Sequence, residues 1–204
     1  VTRVYRRIKE EQMGVLDGLL LGDGHIRQAS LSTGMLQVGI SGTAHLDWLL
    51  SVREALEPAG LSIYPIKVYQ GFSRGKPFQL VVLRSKAHPY LLQKRKEWYQ
   101  DSRKIVPESL ALTPITLAHW HMGDGTLVGK YPYVVLASGG FPMESVLRLK
   151  KKLSELGIDS TVPPSRKGDL FLSRRESLER FARMVDPFIV KSFRYKVQRI
   201  LGRR

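Results

Sequence analysis

Leu16-Asp17-Gly18-Leu19-Leu20-Leu21-Gly22-Asp23-Gly24 and Leu117-Ala118-His119-Trp120-His121-Met122-Gly123-Asp124-Gly125 lie about half a chain apart, and each runs an apolar segment into Gly-Asp-Gly. Both segments read as helices. The C-terminal end of a helix carries partial negative charge, so an acid in its last turn is disfavoured by about 0.3 to 1 kcal/mol unless a cation is near. Two acids at equivalent helix ends therefore point to one site that gathers Asp23 and Asp124 around a divalent metal.

The repeat extends outward from these motifs. Helical spacing covers about residues 10 to 23, with Gly14, Gly18 and Gly22 four apart on one face. Each glycine costs helix stability, up to about 1 kcal/mol relative to alanine, which makes sense where another backbone packs close. His25 to Ser41 alternates around a turn at Ser32 to Gly34 and predicts a hairpin, after which Thr43 is the expected N-cap of a helix to Glu57. Two strands between Ser62 and Arg84, joined through Gly71 to Pro77, and a helix from His88 to Tyr99 complete the first unit.

The second unit follows the same order. Thr113 caps a helix to Asp124 with Pro114 at its first position, where a missing N–H costs nothing. A hairpin around Tyr131 and Pro132, a helix from Pro142 to Leu156, two short strands about the turn Arg166 to Gly168, and a helix from Arg175 to Val185 are predicted. The texts also correspond: Ile40-Ser41-Gly42 answers Ala137-Ser138-Gly139, and Leu56 to Gly60 answers Leu153 to Gly157. The order α-β-β-α-β-β-α thus occurs twice, and duplication of one unit implies a pseudo-two-fold axis.

Composition narrows the partner. The 204 residues include 33 Lys and Arg against 18 Asp and Glu, a net charge of +15, with 43% hydrophobic residues and three Trp. A folded, strongly basic chain most often meets a polyanion, and nucleic acid leads that class. The absence of cysteine excludes disulfides, zinc fingers and thiol chemistry. No membrane span or signal peptide is expected, because the apolar stretches are short and interrupted by charge.

On these residues the chain resembles the LAGLIDADG homing endonucleases, in the form that carries two motifs on one chain. The first motif keeps Leu16, Gly18, Leu19, Asp23 and Gly24 of the family signature; the second keeps Leu117, Ala118, Asp124 and Gly125. The resemblance implies an α+β fold of two tandem αββαββα half-domains, 1–108 and 109–204, whose antiparallel sheets form a saddle on DNA. It implies that the motif helices pack side by side and that Asp23 and Asp124, with Gly22 and Gly123, bind Mg2+, for which Mn2+ or Ca2+ can stand in. Lys104 and Lys196 match lysines that lie near the metal centre in similar single-chain members and are implied as catalytic groups. Double-stranded DNA is the implied substrate, a monomer the implied state, and an intracellular place, a prokaryotic cytoplasm or an organelle, the implied setting. The implied activity is a site-specific double-strand break in intron homing; an RNA-binding maturase acting on its host intron RNA, or a non-cleaving DNA-binding module, are the alternatives.

Polar strand positions Arg27, Gln37, Lys67, Tyr69, Gln79, Arg84, Tyr133, Arg166, Lys167 and Arg174 are the expected DNA contacts. A solvated sheet face would look the same. Asp17 reads as a solvated or locally bonded helix residue. His119 and His121, two apart, point to different helix faces and read as satisfied interface residues rather than metal ligands. Because Ile115, His119 and Gly123 stand opposite the glycine stripe of the first helix, the interface is expected to pack asymmetrically.

Overall fold

The computed structural model describes residues 5–9, 12–73, 75–129, 132–165 and 168–202. Helix α1 spans Gly14–Leu21, strands β1 and β2 span His25–Gln28 and Gly34–Ser41, and α2 spans Leu46–Leu56. Strands β3 (Lys67–Ser73) and β4 (Lys76–Arg84) precede α3 (Pro89–Trp98) and the small ribbon β5 (Tyr99–Gln100) and β6 (Arg103–Lys104). The second repeat holds α4 (Pro114–Asp124), β7 (Gly125–Val128), β8 (Tyr133–Leu136), α5 (Met143–Glu155), β9 (Leu170–Leu172) and α6 (Arg175–Val185), followed by 3-10 turns and the short α7 (Tyr195–Gln198). All strand pairs are antiparallel, in the orders β1-β2-β4-β3 and β7-β8-β9.

Helix α1 is apolar on nearly all sides, with Val15, Leu16, Leu19, Leu20 and Leu21 buried, the pattern of a helix wrapped by protein. Its partner is α4, and one apolar core joins the two helices to Trp48, Leu49 and Val52 of α2 and to Val146 and Leu149 of α5. The glycine stripe sets the spacing. A Cβ placed on Gly14 would lie 2.8 Å from Ile115 Cγ2, one on Gly18 would lie 2.5 Å from the Thr116 carbonyl oxygen and 2.8 Å from His119 Cβ, and one on Gly22 would lie 3.6 Å from Gly123 Cα. The three pairs foreseen from the stripe are thus in contact, and the tightest approach is at Gly18.

Several boundaries differ from expectation. Helix α1 begins at Gly14; residues 10–11 lie outside the described residues, and Gln12 and Met13 are not α-helical. Thr43 does not cap α2: its carbonyl accepts the Leu46 N–H, and the Asp47 carboxylate accepts that of Trp48 at 2.9 Å, so the helix starts two residues late, with His45 at the N-cap position. The β3–β4 hairpin is longer than foreseen, since the strands run to Ser73 and Lys76 and Gly75 takes the left-handed φ of +75° that the tight turn needs. Among the described residues the second sheet has three strands where four were expected. Thr161 makes only an isolated bridge to Phe171, and Pro163 and Pro164, lacking N–H donors, end the ladder there. Thr113 and Pro114 start α4 as foreseen, with the Thr116 N–H donating to Thr113 Oγ1 at 3.2 Å.

Candidate active site

The two acids meet where α1 and α4 end. Asp124 is the last residue of α4, whereas Asp23 stands two residues beyond α1, past Gly22. A Cβ placed on Gly123 would lie 3.5 Å from Asp23 Oδ2, and one on Gly22 would lie 3.8 Å from Asp124 Cβ, so each acid lies against the glycine that precedes the other. Gly24 and Gly125 serve the turn out of the helix. Neither takes a left-handed φ; a Cβ on Gly24 would fall 2.7 Å from the Leu19 carbonyl oxygen, and one on Gly125 would fall 2.5 Å from that of His121. A left-handed glycine C-cap, the ordinary reading of Asp-Gly at a helix end, is therefore not what these glycines make.

Both lysines arrive at the same place. Lys104, carried by the ribbon whose turn residues Asp101 and Ser102 have φ of 47° and 65°, donates from Nζ to the carbonyls of Leu20 at 3.0 Å and Gly22 at 2.9 Å. Lys196 donates to those of His121 and Met122, each at 2.9 Å, and Gly125 at 2.6 Å. Each ammonium thus bonds carbonyls at a helix end, that of His121 being shared with the Gly125 N–H, and places positive charge against the negative helix pole. Gly22 was also foreseen as a metal ligand; its carbonyl is shared with Lys104, which competes with a metal for that oxygen.

The charges are mutually dependent. Burial raises the pKa of Asp23, opposed by Lys104 and Lys196. Asp124 is pushed up to about 6 by burial and then by the charge of Asp23, with the two lysines opposing and Asp169 adding to the rise. Burial lowers both Lys104 and Lys196 to about 8, against the pull of the two carboxylates. Two desolvated acids that repel each other form a setting that a divalent cation would relieve, and Asp124 also lines a cleft of about 300 Å3 with Gly22, Lys104, Ser138 and Asp169. Among the described residues no cluster of three or more His, Cys, Asp or Glu gathers, so further ligands have to come from water and substrate oxygens, as Mg2+ commonly accepts. A larger hollow of about 580 Å3, lined by Tyr5, Arg6, Lys86 and His88, contains neither acid.

The remaining motif residues have structural partners. Asp17 faces Lys94 Nζ at 3.6 Å in a mostly buried pair, so it is ion-paired rather than solvated. His119 Nδ1 accepts the Trp48 indole N–H at 3.0 Å, and burial lowers its pKa to about 4, which keeps it neutral and able to accept. His121 is fully buried edge-on to Phe181, its pKa lowered to about 3 by burial and by Lys196. His119 thus has the satisfied interface role expected of it, whereas His121 does not: it packs on Phe181 and Lys196 of its own repeat, and its Nδ1 is buried without a hydrogen-bond partner among the described residues.

Strand register sorts the expected DNA contacts. His25 opposes Gln37, Gln37 opposes Arg84, Arg27 opposes Met35, Tyr69 opposes Leu80 and Lys67 opposes Val82. Directly opposed residues share a face and alternate residues return to it, so Arg27, Gln37, Lys67, Tyr69 and Arg84 all stand on the face away from the helices. Arg84 Nε donates to Gln37 Oε1 at 2.8 Å, and its guanidinium lies 5.8 Å from the Tyr69 ring centre. Gln79 is a correction: it opposes Gln70 and shares its side with Val81 and Leu83, which are in the core, so it points to the helix side. In the second sheet Tyr133 lies on the outer face, stacked on Phe171 at 5.8 Å. Arg174 lies past β9, exposed and paired with Asp159 at 2.7 Å, and Arg166 and Lys167 lie outside the described residues. Asp169, which no local pattern marks, accepts the N–H groups of Ser138 and Gly139 at 3.2 Å each, and its charge adds to the rise of the Asp124 pKa.

The chain is similar to known proteins over most of its length. A family model described as the LAGLIDADG DNA endonuclease family matches residues 13–181. The protein MJ1098 of Methanocaldococcus jannaschii is 30% identical over 197 residues, covering 94% of this chain and 75% of its own. The cytochrome b mRNA maturase bI2 of Debaryomyces hansenii is 24% identical over 197 residues, covering 93% and 74%. Among solved structures, the homing endonuclease I-WcaI bound to its DNA recognition sequence superimposes with a TM-score of 0.81 at 21% identity, covering 95% of this chain and 88% of that one, a likeness of fold. With the family model spanning both motifs, the chain belongs to the LAGLIDADG DNA endonuclease family, in its double-motif form.

Proposed function

We propose that this protein is a homing endonuclease that makes a site-specific, Mg2+-dependent double-strand break in a long, asymmetric DNA target, acting as a monomer. The observation that carries the reading is the meeting of Asp23 and Asp124 where α1 and α4 end, with Lys104 and Lys196 bonded to the carbonyls at those same helix ends. Asp23 and Asp124 would hold the metal, which when bound supplies charge neutralisation at the scissile phosphate and lowers the pKa of water. Lys104 and Lys196 hold positive charge at the helix ends, where it offsets phosphate charge, and the outer face of the first sheet offers Arg27, Lys67 and Arg84 to the backbone and base edges. Because the halves are fused, each is free to read a different half-site, whereas a homodimer is tied to near-palindromes.

Selection of cut ends from a randomised DNA library in Mg2+ tests activity and reports the target. Asp23→Asn and Asp124→Asn are expected to abolish cutting and retain binding; a double variant that cuts at the wild-type rate refutes the mechanism. The likeness to a cytochrome b mRNA maturase supports a second reading, RNA binding on the same fold. Tight binding to a host intron RNA, with no nicking of intronless DNA, favours it. A non-cleaving DNA-binding module is disfavoured by the acid pair, which repels phosphate unless a cation intervenes.

A further inference from the structure

The segment that carries each lysine is fastened by a helix of the other repeat. Lys196 follows the 3-10 turn Lys191–Phe193, and Asp47 of α2 grips that turn: Asp47 Oδ2 accepts the Ser192 N–H at 2.9 Å and Oδ1 accepts the Ser192 hydroxyl at 2.6 Å. His45, also from this region, lies 3.0 Å from Ser192 Oγ through Nδ1 and stacks on the Phe193 ring with centres 4.0 Å apart. The same Phe193 ring lies 4.6 Å from Lys196 Nζ. On the other side, the segment after Lys104 is gripped by α5. The Val106 N–H donates to the buried Ser145 hydroxyl at 3.0 Å, Arg148 donates to the Val106 carbonyl, and Lys152 Nζ donates to the Glu108 carbonyl at 2.9 Å.

The two grips correspond. When Leu56 to Gly60 is aligned with Leu153 to Gly157, Asp47 and Trp48 fall opposite Glu144 and Ser145, so the bonds come from the same turn of equivalent helices. Their targets are the two segments whose lysines cap the motif helices. We propose that Asp47 and Ser145 are positioning residues of a reciprocal clasp, in which each repeat fixes the lysine that serves the other repeat's motif helix. The contacts are reciprocal between the halves but made through non-equivalent residues, since Asp47 holds Ser192, ahead of Lys196, and Ser145 holds Val106, behind Lys104. The clasp makes neither lysine placeable by its own half alone, so the site at the ends of α1 and α4 is complete only when the halves are docked.

The inference rests on the proposed endonuclease for its cleavage arm, so the test has two arms. In the first, a supercoiled plasmid carrying the library-selected target is cut by wild type, Asp47→Ala, Asp47→Asn, Ser145→Ala and Ser145→Thr in Mg2+, and the nicked strand is identified. Asp47→Ala and Ser145→Ala are expected to accumulate nicked plasmid with nicks in opposite strands, kcat for the slowed strand falling about tenfold with KM unchanged. Asp47→Asn and Ser145→Thr, which keep an acceptor oxygen, are expected to cut nearly as wild type does. Loss of general stability slows both strands together, and that result overturns the clasp. In the second arm, hydrogen exchange without DNA is expected to rise about tenfold over residues 191–198 in Asp47→Ala while 103–106 stay protected, with the converse in Ser145→Ala. Unchanged protection overturns the proposal even if the wild type cuts nothing, an outcome that instead defeats the endonuclease reading. Should Asp47→Ala not fold, Ser192→Ala, which removes only the hydroxyl bonds, takes its place in both arms with the same criteria.

Discussion

Replacing Asp124 by Asn should make the protein more stable while removing its activity. The carboxyl is raised from its ordinary 3.8 to about 6 by burial and by Asp23, net of the attraction of Lys104 and Lys196. At 1.36 kcal/mol per pH unit this is about 3 kcal/mol, and solvent screening at the open cleft leaves about 1 to 2 kcal/mol. The sign follows from proton binding: the folded chain holds this proton more tightly than the unfolded chain, so the group favours folding at low pH, and its contribution is lost as pH rises through 6. Urea denaturation of wild type and Asp124→Asn at a series of pH values isolates the effect from other titrating groups. The variant is expected to gain about 1 to 2 kcal/mol at pH 7, or about 2 to 8 °C in Tm for a chain of this size, with the gain shrinking toward zero near pH 4. Added Mg2+ should narrow the difference, because a cation bound to the wild-type pair stabilises only the protein that has both acids. A variant no more stable than wild type at pH 7, or one whose gain is the same at pH 4, refutes the account of two acids held apart in proton affinity by burial and repulsion.

At Gly18 a Cβ would meet the Thr116 carbonyl oxygen at 2.5 Å, a backbone atom that cannot rotate away, so Gly18→Ala is expected to destabilise by about 2 kcal/mol despite its better helix propensity. Gly22→Ala, with its nearest contact at 3.5 Å, should stay within about 1 kcal/mol of wild type by the same denaturation assay. Arg84→Ala should weaken binding to the selected DNA by about 1 to 3 kcal/mol in gel-shift titrations, whereas Gln79→Ala, on the opposite side of β4, should bind as wild type does.

Signals that live in a few adjacent residues were legible. Thr113 and Pro114 set the start of α4, Arg175 and Val185 bounded α6, and the spacing of Gly14, Gly18 and Gly22 named the partners Ile115, His119 and Gly123. What escaped depended on pairing. The face of Gln79 follows from the register of β3 against β4, and a hairpin whose turn is misjudged by a few residues leaves that register open. The fourth strand of the second sheet was lost to two prolines, which sit between elements and carry no alternation to read. Asp169, Asp47 and Ser192 act through contacts 31 and 145 residues away in sequence, so no local pattern marks them.

The structure also explains why two like acids have unlike settings. Asp124 ends its helix while Asp23 stands two residues beyond its own, and Lys196 has three carbonyl partners where Lys104 has two. Around them the sheets differ more: the outer face of the first carries Arg27, Lys67 and Arg84, while the described strands of the second present Tyr133 and Phe171. In a homodimer any change to one sheet appears in both, so a charged face cannot be paired with an aromatic one. Fusion lifts that constraint from the sheets but not from the helix ends, where both acids must still meet at the α1–α4 crossing. The crossing tolerates only small departures from symmetry, and the stripe shows the permitted kind: a side chain on one helix, Ile115 or His119, fills the space its glycine partner leaves on the other.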